Sequence, residues 1–153
     1  MLLVLGHTAI AQAVSRAYVG TDGKAHVVYA NGAVKTVPPE QHQVGCDNVT
    51  VAGDKRTVAW SVLVENCCTS YPVPTTVVVY RDGKKIVISP GQMIWRWHFT
   101  GRGEGVAILS GPVHGSAAAA TLYQARTGKA LASWKGTGAA PEWAKGWEEE
   151  FPP

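Results

Sequence analysis

The sequence predicts an all-β fold, and this prediction depends on its turns and on the runs between them. Five short sequences typical of hairpin turns recur along the chain: Asp22-Gly23, Asn31-Gly32, Gly53-Asp54, Asp82-Gly83 and Thr127-Gly128. Tight hairpin turns need positive φ angles, which glycine, asparagine and aspartate adopt at the least cost. The runs between these turns are rich in β-branched and aromatic residues. We therefore expect an antiparallel β-sandwich or small barrel built of hairpins.

Length and composition predict one folded domain. The chain has 153 residues, of which 46% are hydrophobic and 16% are charged, so it has enough apolar residues for a core. Its formal net charge is +3, and the basic residues are scattered rather than clustered. A nucleic-acid partner is therefore not expected. No apolar run is long enough to predict a membrane span.

The first thirteen residues differ from the rest of the chain. Residues 1–13 contain a short apolar stretch and carry no formal charge apart from a neutral His7, and Ala11-Gln12-Ala13 fits the small-x-small pattern of a secretory cleavage site. We interpret them as a signal-peptide remnant, with a buried N-terminal strand or helix as the alternative. The protein is then expected to be secreted or periplasmic, with a single β domain over residues 14–140.

Three cysteines bear on the redox state of the chain. Export would permit a disulfide, and the expected pair is Cys46 with Cys67 or Cys68. Closing a loop of about 20 residues would stabilise the fold by roughly 3 kcal/mol. A zinc site that adds His42 to these cysteines is disfavoured, because adjacent cysteines are poor simultaneous ligands. No metal site is expected.

Alternation and turn residues place the strands in chain order. We expect strands over 15–19, 25–30, 33–37, 48–52, 57–65, 75–80, 85–88, 93–100, 106–110, 117–124 and 130–134. We expect a loop that begins at Pro38-Pro39, after the first hairpin, and runs to residue 47. A second loop is expected over residues 66–74. In the strand over 57–65, the face inferred to point inward carries Val58, Trp60, Val62 and Val64.

The strand over 93–100 supplies the first candidate site residues. Strict alternation would place Trp95, Trp97 and Phe99 on one face, where they are expected to fill the core. Arg96 and His98 would then face outward, and they are candidates for ligand binding.

His114, in the loop after the next strand, is a further candidate for ligand binding. His98 and His114 could meet across adjacent strands as a metal site or an acid–base pair, although two histidines alone are a weak signal.

The tail after residue 140 predicts a short C-terminal helix. Trp143, Trp147 and Phe151 are spaced by four residues, which is typical of one helical face, and Pro141 suits a first helical position. We expect residues 141–153 to form a tail with a helical turn that packs its tryptophans on the sheet. Alternatively, Trp143 and Trp147 form a hydrophobic peg that binds a partner.

Residues 48–90 and 93–134 share a strand pattern, and Gly83-Lys84 aligns with Gly128-Lys129, 45 residues later. The segment Thr121–Trp134 resembles the outer hairpin of quinoprotein-type β-propeller repeats, and the likeness extends weakly over residues 48–134. This resemblance implies propeller-like blades as an alternative to a sandwich. Two and a half such units cannot close a ring. The resemblance is architectural, and no cofactor is expected.

No motif of a nucleophilic enzyme, a phosphate-binding loop or a metalloprotease is present in the sequence. The function predicted is therefore a secreted, non-catalytic, inhibitor-like β module that recognises a protein or a glycan. One alternative is a structural subunit that completes a β assembly with other chains, including copies of itself. The other is a small hydrolase that uses His98 or His114 with Glu104.

Overall fold

The computed structural model describes residues 12–151, so the predicted signal-peptide remnant falls almost wholly outside the described residues. About half of the described residues are in strands. The strands are β1 (Val14–Val19), β2 (Ala25–Tyr29), β3 (Val34–Thr36), β4 (Gln43–Val51), β5 (Thr57–Val64), β6 (Val73–Arg81), β7 (Lys84–Ile88), β8 (Met93–Thr100), β9 (Gly105–Gly111), β10 (Ala119–Gln124) and β11 (Ala130–Trp134).

The strands form three successive sheets, and within each sheet every strand pairs antiparallel with its neighbours in sequence. Sheet A contains β1 to β3, sheet B contains β4 to β7, and sheet C contains β8 to β11. This confirms the predicted all-β fold built of hairpins. None of the three sheets closes into a barrel, because each keeps two free edges in the strand order. The architecture is a sandwich-like stack.

Sheet B is the middle layer of the stack. One apolar core lies between sheets A and B and includes Val27 from β2 and Trp60 from β5. A second core lies between sheets B and C and includes Val77 from β6 and Ile108 from β9. Sheet B therefore packs against a different partner on each of its faces.

The central strand β5 is buried on both of its faces. Val58, Trp60 and Val62 point into the core shared with sheet A, as the alternation predicts. Ala59 and Ser61, on the opposite face, are also buried, because sheet C covers that face. The Trp97 Nε1–H donates a hydrogen bond of 2.8 Å to Ser61 Oγ across this second core.

Because of a β-bulge, the side chains of β8 do not alternate between its faces as predicted. Ile94 pairs with Ser110 and Arg96 pairs with Leu109, so Trp95 has no partner across the ladder. Trp97 and Phe99 point toward sheet B, whereas Trp95 packs on the other face of sheet C. The expectation that Trp95 shares a face with Trp97 was wrong.

A glycine in β9 makes room for the bulged side chain. A Cβ atom on Gly111 would overlap the Trp95 ring. Trp95 Nε1 donates to the Pro112 carbonyl at 3.3 Å, which further fixes the ring at this position.

Two strands extend further than predicted. β4 begins at Gln43 and not at residue 48, because polar residues of its first half pair with the buried strand β5. β6 begins at Val73 and contains Pro74. Proline is tolerated there because β7 pairs with β6 only over 77–81, which leaves that side of Pro74 without a ladder neighbour.

The C-terminal tail docks on the outer face of sheet C through two short 3-10 turns, Glu142–Ala144 and Glu148–Glu150. Gly146 lies between them with a φ of +86°, a conformation that interrupts a continuous helix. Ala144 and Trp147 are buried against this face, beside Trp134. Over residues 12–151, no helix has the length and apolar character that crossing a bilayer requires.

The repeat seen in the sequence corresponds to equivalent turns. Asp82-Gly83 joins the third and fourth strands of sheet B, and Thr127-Gly128 joins the third and fourth strands of sheet C. Sheets B and C therefore have the same topology. The resemblance to quinoprotein-type propeller blades stays a prediction.

Ile108→Ala is expected to lower the free energy of unfolding by about 2–5 kcal/mol, because it opens a cavity where sheets B and C meet. Ile108 is 0% exposed. Leu131→Ala, at a residue of sheet C that is 55% exposed, is the matched control and should change stability by about 0.5 kcal/mol or less. Urea titration followed by circular dichroism measures both. Equal losses in the two variants would contradict the two-core arrangement.

Candidate functional site

Four of the predicted site residues meet where the C-terminal tail crosses sheet C. The His98 ring lies 4.8 Å from the Trp147 ring, centroid to centroid. Arg96 Nη2 lies 2.8 Å from Glu150 Oε1. Trp143 packs at the edge of the apolar cluster that the tail forms with the outer face of sheet C. The structure therefore uses Arg96, His98, Trp143 and Trp147 to hold the tail on the sheet.

These contacts give the predicted ligand-binding role of the four residues no support. Trp147 is buried and offers little surface to a partner. Burial lowers the pKa of His98, and a hydrogen bond with the backbone of Trp143 opposes this shift. The imidazole of His98 is therefore held neutral under the tail. A binding role for this group stays a prediction.

His114 lies away from this group. His98 pairs with Ala107, whereas His114 follows the end of β9 at Gly111, which pairs with Met93. Met93 and His98 are five residues apart on β8, which corresponds to about 16 Å at roughly 3.3 Å per residue. His114 Nε2 instead lies 3.4 Å from the carbonyl oxygen of Cys68. The two histidines do not share a site, so a metal site or an acid–base pair made of both has no geometric support. The hydrolase hypothesis, in which one of them acts with Glu104, stays a prediction.

The three cysteines are free thiols. Cys46 lies in the core between sheets A and B, where burial raises the pKa of its thiol to about 11. Cys67 and Cys68 are exposed in the turn after β5. The bridge predicted from Cys46 is not formed in the structure and stays a prediction. Within residues 12–151, no cluster of three or more His, Cys, Asp or Glu side chains is arranged to hold a metal ion.

The best-formed candidate site is a cleft between sheets B and C, at the end of the stack where β6 turns into β7. Its volume is about 280 Å³. Apolar side chains of Val79, Ile86 and Ala125 form the floor. Charged side chains surround this floor: Arg81, Asp82, Lys84 and Arg126. We call these four residues the charged rim.

Asp54 fixes one wall of the cleft. Its Oδ1 accepts hydrogen bonds from the Arg56 and Thr57 amides, and its Oδ2 accepts one from Thr57 Oγ1 at 2.7 Å. Arg81 Nη1 also donates to Oδ2 at 3.0 Å. Burial opposes ionisation of Asp54, but these hydrogen bonds and the charge of Arg81 outweigh it and lower the pKa of its carboxyl. Arg81 is thereby held in place before any ligand arrives.

The turns of sheets B and C interlock below the cleft. The Asp54 amide donates to the Arg102 carbonyl at 2.8 Å, and Arg102 Nη2 donates to the Gly53 carbonyl at 3.1 Å. A Cβ on Gly103 would approach the Ala52 Cβ to 2.7 Å, so only glycine fits there. These contacts fix the spacing of the two sheets and hence the width of the cleft.

The rim carries an excess of positive charge. Asp82 Oδ2 is 2.7 Å from Arg56 Nη2 and 3.4 Å from Arg81 Nε, so its charge is already compensated. Among the residues that the structure describes, Lys84 and Arg126 have no carboxylate within salt-bridge distance. A cleft with this arrangement attracts an anionic group to a partly apolar floor.

The predicted site residues did not include this rim, although the repeat in the sequence contains the signal for it. Arg81 and Arg126 occupy equivalent positions in the two units, 45 residues apart. Stacking the two units therefore brings their basic turns together. Alternation within single strands, on which the candidate residues were chosen, does not reveal residues that meet between sheets.

A second cavity, of about 530 Å³, lies at the opposite end of β8. Its lining residues are neutral and include Thr75, Gln92 and Met93. It offers no charge for recognition, and the cleft with the charged rim therefore remains the stronger candidate site.

Comparison with known proteins assigns neither a family nor a relative: no protein-family model matches the chain, and no curated protein sequence matches it.

Asp54→Asn is expected to lower the free energy of unfolding at about pH 7 by about 1–3 kcal/mol, since it removes charge-assisted hydrogen bonds. The carboxyl pKa is lowered in the folded state, so its contribution is complete above the ordinary value of about 3.9 and is lost as the pH falls through the folded value. The difference from wild type should therefore shrink at acid pH, below this ordinary value.

Denaturant titration at both pH values measures this difference. Glu149→Gln, at an exposed acidic residue of the tail, is the control and should change stability little at either pH. A difference for Asp54→Asn that is independent of pH would contradict the role given to its charge.

His98→Phe keeps an aromatic ring under Trp147 but removes the proton site. Because the pKa of His98 is lowered by burial, its stabilising contribution is complete above about 6.5 and is lost as the pH falls through the folded value. Wild type should lose protection of the tail amides between about pH 7 and 5, and the variant should lose less. Hydrogen exchange of residues 142–151 measures this, and identical pH profiles would refute the prediction.

Proposed function

We propose that this protein is a non-catalytic β module that recognises an acidic group of a partner through the cleft between sheets B and C. The observation that carries the proposal is the charged rim, where Lys84 and Arg126 face the cleft without carboxylate partners. Arg81 lines the same cleft and is held in place by Asp54. The Thr57 hydroxyl donates a hydrogen bond to Asp54 and accepts one from Arg81 at 3.3 Å, so it helps to hold Arg81 in the wall of the cleft.

The dimensions and lining of the cleft favour a protein partner over a neutral glycan. Pockets for complete small-molecule ligands usually have about 300–1,000 Å³, so a volume of about 280 Å³ suits one side chain or one sugar ring. Sugar rings are usually stacked on aromatic side chains, and the lining contains none. The ligand we propose is a glutamate or aspartate side chain on a partner loop. A uronic-acid glycan is the competing ligand.

We also propose that the module acts outside the cytoplasm, in the periplasm or the medium. The support for this is the apolar stretch and the small-x-small pattern of residues 1–13. An acidic partner recognised by a rigid, inhibitor-like β scaffold would then be an exported protein. A structural subunit is the second candidate, and the repeated four-stranded units of sheets B and C favour it.

Binding of a fluorescent oligoglutamate peptide tests the proposal. Wild type should bind at low ionic strength, and binding should weaken as salt is added. The double variant Lys84→Ser/Arg126→Ser should lose at least about tenfold in affinity, which corresponds to about 1.4 kcal/mol. Fluorescence anisotropy measures the dissociation constants.

The control is a double variant of equal net charge, Lys35→Ser/Lys135→Ser, at exposed residues outside the cleft lining. Both double variants reduce the formal charge from +3 to +1. Equal losses in the two variants would mean non-specific attraction and would refute the site. Binding of an oligouronate in place of the peptide would reassign the partner to a glycan.

A further inference from the structure

Cys67 and Cys68 are two exposed thiols on adjacent residues in the turn between β5 and β6. Asn66 organises this turn: its Oδ1 accepts a hydrogen bond from the Cys68 amide at 2.8 Å, and its Nδ2 donates to Thr69 Oγ1. Thr69 Oγ1 in turn donates to the Tyr71 carbonyl. The turn therefore presents both thiols to solvent from a hydrogen-bonded support.

The two thiols also affect each other's ionisation. A hydrogen bond with Cys67 is the main cause that raises the pKa of Cys68. Cys46 differs in every respect, because it is buried and its Sγ faces the Gly23 carbonyl at 3.5 Å. Reagents in solution can therefore reach Cys67 and Cys68 without unfolding the protein, whereas Cys46 is protected.

Cys67 and Cys68 lie in a different environment from Cys46. Cys46 pairs with Val62 across the ladder, and Cys67 lies five residues further along the chain, beyond the end of β5. The Cys46 side chain lies in the core between sheets A and B, whereas Cys67 and Cys68 are exposed in the turn after β5.

We propose that Cys67 and Cys68 form a dithiol modification site that reacts with small-molecule disulfides and closes into a disulfide between neighbouring residues. One thiolate attacks the small disulfide, forms a mixed disulfide and releases one small thiol. The second cysteine, after losing its proton, attacks the protein sulfur of this mixed disulfide and releases the second small thiol. The two cysteines thus lose two electrons and two protons, and the small disulfide gains them.

The geometry of a disulfide between neighbouring residues makes it easy to reduce. Neighbouring Cα atoms are about 3.8 Å apart across a trans peptide, which is shorter than the usual range of about 4.4–6.8 Å for a disulfide. Strain of this kind makes a disulfide more easily reduced, and exposed strained disulfides are the labile and regulatory ones.

Formation of the disulfide would affect the neighbouring loop that contains His114. The Cys68 carbonyl contacts His114, and the Cys68 amide is held by Asn66. Asn66 also lines the 530 Å³ cavity, together with Pro112 and Val113 of the His114 loop. Rearrangement of the peptide between Cys67 and Cys68 therefore acts on both loops at the mouth of that cavity.

Reaction of the reduced, folded chain with oxidised glutathione tests the proposal, followed by acid quenching and mass spectrometry. The expected product is lighter by two hydrogen atoms and carries no glutathione. Trypsin then separates the cysteines, because Cys46 falls in the peptide 36–55 and the other two fall in the peptide 57–81. The new bond should lie within the peptide 57–81.

Single variants separate the two steps of the reaction. Cys67→Ser and Cys68→Ser should each retain one stable glutathione adduct, because the second thiol is missing, whereas Cys46→Ala should react like wild type. Three results would each overturn the proposal: a bond that joins the peptides 36–55 and 57–81, a lasting glutathione adduct on wild type, or no reaction of the folded chain.

Discussion

The burial of sheet B on both faces is the constraint on which the other layers depend. Val58, Trp60 and Val62 of β5 supply one core, and Ala59 supplies the other from the same strand. A strand in this position has no solvent face, so every polar group on it needs a partner. Ser61 meets this condition by accepting the hydrogen bond from Trp97, and that bond also ties β8 to the centre of the stack. A disturbance of β5 would therefore reach both cores at once.

The strands and turns could be predicted because their signals are local. Asp82-Gly83 has positive φ at both residues, as a tight hairpin requires, and the same chemistry marks most of the other turns. The bulge at Trp95 could not be predicted, since it depends on the space left by Gly111 across the ladder and on the tail that covers that face. The first half of β4 was missed for a similar reason: its residues become a strand by pairing with β5, not by their own propensity.

The candidate site was predictable only in part, because its residues come from different sheets. Aromatic and histidine side chains on β8 gave the strongest local signal, yet the structure uses His98 and Trp147 to dock the tail. The basic turns gave a weaker signal, and it becomes informative only when the two units are stacked. Arg81 and Arg126 are far apart in sequence but equivalent in the repeat, so stacking sheets B and C places both at one cleft.

Both proposed sites lie in turns at the ends of the strands of sheets B and C. This placement follows from the burial of sheet B. Within the ladders the interior positions are taken by packing, so new chemistry is confined to the turns at either end. One end carries the charged rim around Lys84, supported by the Asp54 hydrogen bonds. The other carries Cys67, Cys68 and the His114 loop beside a neutral cavity. The Asp54–Arg102 contact that sets the spacing of the sheets lies at the end with the charged rim, whereas Asn66, the partner of Cys68, lines the neutral cavity at the other end, so a rearrangement at the thiols would act first on that cavity.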